Sequence, residues 1–117
     1  MINNKRTFFK VKNFTIGKGE KVFVIAEIGI NHNGDFVKCK RLIFAASKAG
    51  ADAAKIQTID VDESYTKNSQ SYKAFKNKNF SNKELLKLKK YSENLGVVFF
   101  STPGDIKSLM RLIKIKV

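Results

Sequence analysis

The sequence predicts an α/β fold in which helices cover a parallel β-sheet. Two observations support this class. Strand and helix patterns alternate along the chain in the order β-α-β-α-β-α, and the strand patterns are apolar on both faces. Right-handed crossovers place the intervening helices over such strands. Both an open doubly wound sheet and part of a (β/α) barrel are consistent with these patterns.

The first half of the chain predicts one strand and one helix after a short lead-in. Glycines and weak alternation in residues 7–20 indicate a small hairpin or an irregular segment. Residues 22–30 then form the first strand. Asp35 is placed to cap a helix that ends at Gly50. One face of this helix is apolar, with residues at positions i, i+3, i+4 and i+7: Cys39, Leu42, Ile43 and Ala46.

A second strand is predicted at residues 53–58, followed by a polar stretch. Residues 59–80 are rich in Lys, Asn and Ser, which predicts a long loop holding at most one short helix. Ser81 and Glu84 then have the spacing of a capping box, in which each side chain bonds the other residue's backbone amide. The helix that begins there ends at Gly96.

The last predicted unit is a strand at residues 97–101 and a helix that Asp105 caps. The helix again places apolar residues at i, i+3, i+4 and i+7, namely Ile106, Leu109, Met110 and Ile113. Such a stripe is typical of a face that packs against a sheet.

Composition limits the class of protein. The chain has 117 residues, enough for one small domain, and a formal net charge of +13. Because only Arg6, Arg41 and Arg111 of its 23 basic residues are Arg, the charge favours a solvated lysine surface over nucleic-acid binding. The lone Cys39 excludes an internal disulfide. Without an apolar run of about 20 residues or a signal peptide, we expect no membrane association and a cytoplasmic location.

Polar residues at the strand ends predict the functional site. Both candidate architectures bind ligands at the C-terminal ends of their strands. Five polar residues lie within or at those ends: Glu27, Lys55, Gln57, Ser101 and Thr102. A carboxylate inside an apolar strand is costly to bury, which predicts that Glu27 has a function. Lys55 and Gln57 share one face of their strand and suit an anion.

Each candidate also has a structural alternative. Glu27 and Lys55 could form a buried ion pair between neighbouring strands, and Lys55 could extend to the surface. His32, between two Asn residues, is either a turn residue or a catalyst. The hydroxyls of Ser101 and Thr102 could bind a phosphate near a helix N-terminus or serve the turn. The sequence lacks the glycine motifs of dinucleotide-binding and P-loop folds, and it predicts no metal site within the chain.

Three segments resemble a known family. They are IAEIGINHNGD at residues 25–35, AGADAAKIQT at 49–58 and LGVVFFSTP at 95–103. In order and spacing they are similar to the N-terminal part of the sialic acid (N-acetylneuraminate) synthases, a family that includes the pseudaminate and legionaminate synthases. The resemblance covers roughly residues 20–115 and implies a (β/α)8 TIM barrel, of which this chain holds about three βα units. Residues 1–20 would be a lead-in, and residues 21–117 a truncated barrel domain.

The resemblance also implies a reaction. Members of the family condense phosphoenolpyruvate with an N-acylated sugar aldehyde such as N-acetylmannosamine, giving a nine-carbon 2-keto acid and phosphate. By position, Glu27 matches the active-site carboxylate, Lys55 and Thr102 match groups that hold phosphoenolpyruvate, and Gln57 matches a neighbouring polar group; Ser101 is a further candidate ligand. The full-length family is expected to use Mn²⁺ or Mg²⁺ with ligands outside this chain.

Two departures from the family pattern change the expectation. Gly104 stands where an aromatic residue usually follows the STP sequence. A full barrel needs about 250 residues, so we expect the isolated chain to be inactive. Its protein partner would be a second copy in a homodimer or the missing barrel portion. The alternative from another class is a non-catalytic module that binds phosphate or another polyanion through its net positive charge.

Overall fold

The N-terminal part of the chain forms a two-stranded hairpin. The computed structural model describes residues 7–117, in which β1 (Phe8–Val11) and β2 (Phe14–Gly17) pair in antiparallel register. The turn passes through Lys12, whose φ is 54°. A hairpin was one of the two forms predicted for residues 7–20. Residues 1–6 of the predicted lead-in lie outside the described part, and the division at residue 20 stays a prediction.

The centre of the fold is a three-stranded parallel sheet. Its strands are β3 (Ile25–Gly29), β4 (Ala53–Thr58) and β5 (Val98–Pro103), in the spatial order β3-β4-β5. β4 has its predicted bounds, whereas β3 begins three residues later than predicted. The backbone N–H of Val24 donates to the carboxylate of Asp52 at 2.8 Å, so a side chain takes the place of a ladder bond there.

The first helix follows the sequence prediction. α1 (Phe36–Lys48) begins after Asp35, whose side chain accepts from the Lys38 N–H, and Gly50 with φ 83° follows its end. The predicted apolar face packs toward the sheet, with Cys39 and Ile43 fully buried. Burial raises the pKa of the Cys39 thiol to about 12.

The polar stretch after β4 contains two short helices, where at most one was predicted. α2 (Val61–Ser64) and α3 (Gln70–Phe75) have no buried residues, so the apolar periodicity that signals a helix is missing there. Their N-terminal amides are instead capped by the side chains of Asp60 and Ser69. The stretch is fastened to the sheet where the Asn79 side chain accepts from the Ile59 N–H at 2.9 Å.

The last two helices cover the sheet on the same side as α1. α4 (Asn82–Asn94) begins with the predicted capping box, in which both the Ser81 and the Glu84 bonds are present. α5 (Ile106–Ile115) is capped by Asp105 as predicted. The core lies between sheet and helices, and its buried apolar residues include Ile28, Cys39, Ile43, Ala54, Ile56, Phe80, Leu85, Leu88, Val97, Phe99 and Leu112.

The apolar face predicted for α5 is exposed. Ile106, Leu109, Met110 and Ile113 are 38–75% exposed, and the helix buries Ser108 and Leu112 instead. The expectation that this stripe packs on the sheet is therefore wrong. Ser108 and Leu112, at i and i+4, form the inward face of the helix, where the Ser108 hydroxyl and backbone N–H both donate to the Asp105 carboxylate.

Candidate functional site

Four of the five predicted site residues lie together at the C-terminal ends of the strands. Side chains alternate between the two faces of a strand, and one face of this sheet is covered by helices. The other, which we call the open face, carries Glu27, Lys55, Gln57 and Thr102. Glu27 pairs in register with Lys55 across β3 and β4, and Gln57 pairs with Thr102 across β4 and β5. The predicted clustering is thus present for these four.

Glu27 and Lys55 form an ion pair on this face. The Nζ atom of Lys55 lies 2.6 Å from Oε2 of Glu27. The Glu27 side chain is 54% exposed and that of Lys55 is 27% exposed, so the prediction of a buried carboxylate is wrong. Within the described residues no layer covers the open face at this point. Partial exposure keeps the desolvation cost of the pair low and leaves both groups accessible to a ligand.

A bulge follows Glu27 in β3. The register between β3 and β4 shifts between Glu27 and Gly29, so that Ile28 is an extra residue in β3. Bulges bend a strand and redirect its side chains, and they are frequent beside active sites. Ordinary alternation puts Glu27 on the open face next to Lys55 and Ile28 in the core, and the bulge then pairs Gly29 with Ile56 in place of Gln57.

The fifth predicted residue, Ser101, is not brought to this group. It lies on the helix-facing side of β5, buried, and its hydroxyl lies 2.7 Å from that of Thr58. The Ser101 hydroxyl also donates to the Ile56 carbonyl at 3.4 Å. The alternation of side chains separates it from its neighbour Thr102, which faces the open side. Thr58 was not predicted as the hydroxyl partner of Ser101. Its position was a usable signal, because Thr58 follows the side-chain alternation of β4 and therefore faces the core.

The turn after β5 is closed by a polar network that the sequence only partly predicted. Asp105 caps α5 and also accepts from the backbone N–H of Asp60 at 2.7 Å. Burial disfavours ionisation of Asp105, but the hydrogen bonds from Ser108 and Asp60 outweigh it and lower the pKa of that carboxyl. Lys107 lies 2.6 Å from the Asp60 carboxylate and lowers its pKa. No sequence spacing pairs Asp60 with Lys107, because the contact exists only once β4 and β5 are adjacent.

Gly104 fits this turn because the space beside it leaves no room for a side chain. A Cβ atom built on it would lie 2.6 Å from the Ile59 side chain, which is closer than carbon atoms approach. The departure from the aromatic residue usual in the resembling family therefore coincides with Ile59 filling the space beside the turn. The Gly104 N–H also donates to the Thr58 carbonyl at 2.9 Å, which extends the pairing of β4 and β5 past Pro103.

His32 belongs to the turn between β3 and α1. It is fully buried, its Nδ1 accepts from the Gly34 N–H at 3.0 Å, and its ring lies 4.5 Å from that of Phe80. Burial, and then the positive charges of Lys38 and Lys78, lower the pKa of His32, which favours the neutral ring. The geometry supports the turn-residue alternative, and His32 is not among the residues of the open face.

The described residues do not fit a divalent metal by themselves. Within residues 7–117, no three His, Cys, Asp or Glu side chains come together as a metal site. Glu27 is the carboxylate at hand on the open face, and Lys55 already neutralises its charge. No helix in this part of the chain combines the length and apolar character needed to span a bilayer.

Comparisons with known proteins agree with this architecture. Residues 42–117 match the NeuB family, which is well over half of the chain. A solved structure of an N-acetylneuraminic acid (sialic acid) synthetase from Leptospira borgpetersenii superposes with a TM-score of 0.89 and 36% identity over 96% of this chain and 39% of that one. The match confirms the predicted fold class, three βα units of a (β/α)8 barrel.

Sequence relatives extend the match. An uncharacterized protein of Methanocaldococcus jannaschii is 43% identical over 92% of this chain and 32% of its own length. The N,N′-diacetyllegionaminic acid synthase of Legionella pneumophila is 36% identical over 86% of this chain and 32% of its own length. The chain therefore spans about a third of the length of these relatives. On these matches, the chain belongs to the NeuB family.

Proposed function

We propose that this chain provides the phosphoenolpyruvate-binding portion of an enzyme that condenses phosphoenolpyruvate with an N-acylated sugar aldehyde, such as N-acetylmannosamine. The observation that carries the proposal is the Glu27–Lys55 pair on the open face, beside Gln57 and Thr102 at the strand ends. Relatives named N-acetylneuraminate-9-phosphate synthase and N,N′-diacetyllegionaminic acid synthase support the reaction class.

The chemistry of these side chains suits the substrate. Phosphoenolpyruvate carries a carboxylate and a phosphate, so it needs a cation and hydrogen-bond donors. Lys55 offers the cation, and the Gln57 amide and Thr102 hydroxyl offer donors from the two adjacent strands. Donors fixed on strands need little reorganisation when the substrate binds.

The proposed reaction requires proton transfer, a role that we assign to Glu27. In the proposed step C3 of phosphoenolpyruvate forms a bond to the aldehyde carbon, and water adds at C2. One proton from that water passes through Glu27 to the new alkoxide. The C2 adduct then breaks its bond to the phosphate oxygen, and the C2 hydroxyl proton leaves with the phosphate, which leaves the keto group. The carboxylate of Glu27 also stabilises positive charge that develops at C2. We also propose that the enzyme uses Mn²⁺ or Mg²⁺, with metal ligands outside the described residues.

Substrate binding tests the proposal on the chain itself. Titration with phosphoenolpyruvate, followed by amide NMR shifts, should perturb Lys55, Gln57 and Thr102. Lys55→Gln should abolish these shifts, whereas Lys48→Gln, which removes an exposed lysine of α1, should leave them unchanged. Sodium sulfate at equal ionic strength is the control for nonspecific anion binding. Shifts spread over the surface lysines would contradict the proposal and favour a polyanion binder.

A second variant tests the role of the ion pair. Glu27→Gln removes the group that neutralises Lys55 and repels the substrate. Phosphoenolpyruvate should therefore bind about two- to fivefold tighter, the range expected for one partly exposed ion pair. Weaker substrate binding by the Glu27→Gln variant would contradict the assigned arrangement.

The isolated chain should release no phosphate above background from phosphoenolpyruvate, N-acetylmannosamine and Mn²⁺.

A further inference from the structure

The outward face of α1 carries apolar residues where a surface helix is normally polar. The inward face of the helix buries Cys39 and Ile43, and the opposite face holds Val37, Arg41 and Phe44. Val37 is 57% exposed and Phe44 is 43% exposed. Because these two side chains point away from the core, packing on the sheet does not account for them.

These residues border a groove between α1 and α4, which we call the α1–α4 groove. Its volume is about 400 Å³, and its lining residues are Phe36, Val37, Lys40, Arg41, Phe44 and Tyr91. Phe36 packs edge-on against the buried Phe80, with 6.1 Å between ring centroids, so the groove rests on the core. The Nζ atom of Lys40 lies 4.4 Å from the centroid of the Tyr91 ring, which places a cation over an aromatic face.

Both walls of the groove belong to the described chain. α1 and α4 pack on each other, and the Ser47 hydroxyl donates to the Leu95 carbonyl at 3.4 Å near their C-terminal ends. The groove faces away from the sheet, and in a (β/α)8 barrel the helices form the outer ring. Further βα units would extend the helix layer beside α1 and α5 without covering this outward surface.

The charges beside the groove are positive and lack partners. α1 contains Lys and Arg residues but no Asp or Glu. In α4, Glu84 bonds the N-terminus of its own helix, and Glu93 pairs with a lysine of the hairpin. Within residues 7–117, neither Lys40 nor Arg41 forms an ion pair. Unpaired cations beside apolar rings favour an occupant that carries both carboxylates and an apolar side chain.

We propose that the α1–α4 groove binds an acidic segment of a partner protein. An apolar side chain of that segment packs on the rings, and its carboxylates pair with Lys40 and Arg41. Aromatic residues and Arg are the types enriched at protein interfaces.

Two other occupants fit the groove less well. A second copy of this chain would bring the same cations against each other in a symmetric contact, and each copy has a net charge of +13. A small molecule is normally enclosed by its site, whereas the exposed Val37 and Phe44 leave this groove open. The inference does not depend on phosphoenolpyruvate binding, because the groove lies on the helix layer and the open face lies on the other side of the sheet.

Peptide binding to the 117-residue chain tests the inference. The probe is a short fluorescein-labelled peptide of glutamates with two leucines four positions apart, which share one face when the peptide is helical. We expect saturable binding by fluorescence anisotropy that weakens as the NaCl concentration rises. Replacing the leucines by alanine, and separately the glutamates by glutamine, should each weaken binding at least fivefold, because the groove offers both rings and cations.

Two charge reversals separate the groove from the net charge. Arg41→Glu lies in the groove, and Lys114→Glu lies on α5 at a position that is also exposed. Each variant lowers the net charge by the same amount, so nonspecific attraction falls equally in both. Arg41→Glu should weaken peptide binding at least tenfold and Lys114→Glu less than twofold.

A matched pair of apolar variants tests the rings. Phe44 and Leu86 are 43% and 45% exposed, and Leu86 lies on α4 outside the groove lining. Phe44→Ser should weaken peptide binding at least fivefold and Leu86→Ser less than twofold. Val37→Ser is the second groove variant in case Phe44→Ser disturbs folding, which circular dichroism reports.

Four outcomes would overturn the inference. They are the absence of saturable binding, equal weakening by the groove and control variants, and equal binding of the peptide without leucines, which would indicate a general polyanion binder. The fourth is a dimer of this chain, detected by light scattering, that Phe44→Ser disrupts, because a second copy would then occupy the groove.

Discussion

Thr58 and Ser101 show how the face of a strand decides what a hydroxyl group does. Their oxygens lie 2.7 Å apart in the buried layer between the sheet and the helices. Thr102, one residue later, is exposed on the open face. The buried Ser101 hydroxyl stabilises the fold, whereas the exposed Thr102 hydroxyl is free to contact a ligand.

We predict that Ser101→Ala destabilises the chain by about 1–3 kcal/mol, because it leaves the buried Thr58 hydroxyl without its partner. Urea unfolding measures the change. The double variant Thr58→Val/Ser101→Ala should recover part of the loss, since neither polar group then remains. Thr102→Val, on the exposed side of the same strand, is the control and should change the free energy of unfolding by less than about 0.5 kcal/mol. Equal losses for Ser101→Ala and Thr102→Val would contradict the assignment.

His32 makes stability depend on pH. Its pKa in the folded chain is lowered, first by burial and then by Lys38 and Lys78. The unfolded chain takes up the proton near pH 6.5 and the folded chain resists it, so the free energy of unfolding falls as the pH drops below about 6.5. Urea unfolding between pH 7.5 and 5 measures this slope.

The His32→Gln variant is the comparison. It removes the titrating group, so the slope between about pH 6.5 and 5 should flatten even if the overall stability drops. Several carboxylates, among them Asp52 and Asp60, also have a lowered pKa. They change the free energy of unfolding only below about pH 4.5, outside this pH range. An unchanged slope in the variant would show that His32 titrates normally in the folded chain.

At the scale of elements, the β3–α1 turn is fitted against the segment that precedes α4. Gly34 has φ 77°, and a Cβ atom there would lie 2.5 Å from the Asn77 carbonyl oxygen. Gly50, after α1, has φ 83° with nothing near its Cβ position. The two glycines share a left-handed backbone and differ in the space around them.

This pair gives a prediction for the turn. Gly50→Ala should cost about 1–2 kcal/mol for the backbone conformation alone. Gly34→Ala carries the same conformational cost and also forces the Asn77 segment to move, so it should cost more. Thermal unfolding of both variants measures the difference. Equal costs would mean that the two loops do not touch.

At the scale of the whole molecule, the net charge of +13 acts against the compact state. Few of the charges are neutralised by close partners, and the described ion pairs involve mainly exposed lysines. Repulsion between exposed charges weakens once the ionic strength brings the Debye length to about 10 Å or less.

We therefore predict that raising NaCl from low to physiological concentration increases the melting temperature by a few degrees. KCl at the same ionic strength should give the same rise, because the effect is screening and not binding of a particular cation. A fall in melting temperature with salt would mean that attractive ion pairs outweigh the repulsion.

Local patterns predicted most of the elements because each depends on neighbours in sequence. The capping box at Ser81 and Glu84 and the apolar face of α1 are such patterns. The polar stretch holds two helices, α2 and α3, where at most one was predicted, because both are short and bury nothing. The apolar face of α5 was predicted from its spacing, but the spacing alone could not show that this face is exposed.

The sequence by itself determined the order of the three βα units, the parallel sheet and the polar residues at the strand ends, because side-chain period and caps are local properties. Only the tertiary structure decided which of those residues meet. Strand register brought Glu27 to within 2.6 Å of Lys55, and the packing of helices on one face of the sheet put Ser101 in the core. The open sheet face left Glu27 half exposed, because burial depends on what packs above a strand and not on the strand's own residues.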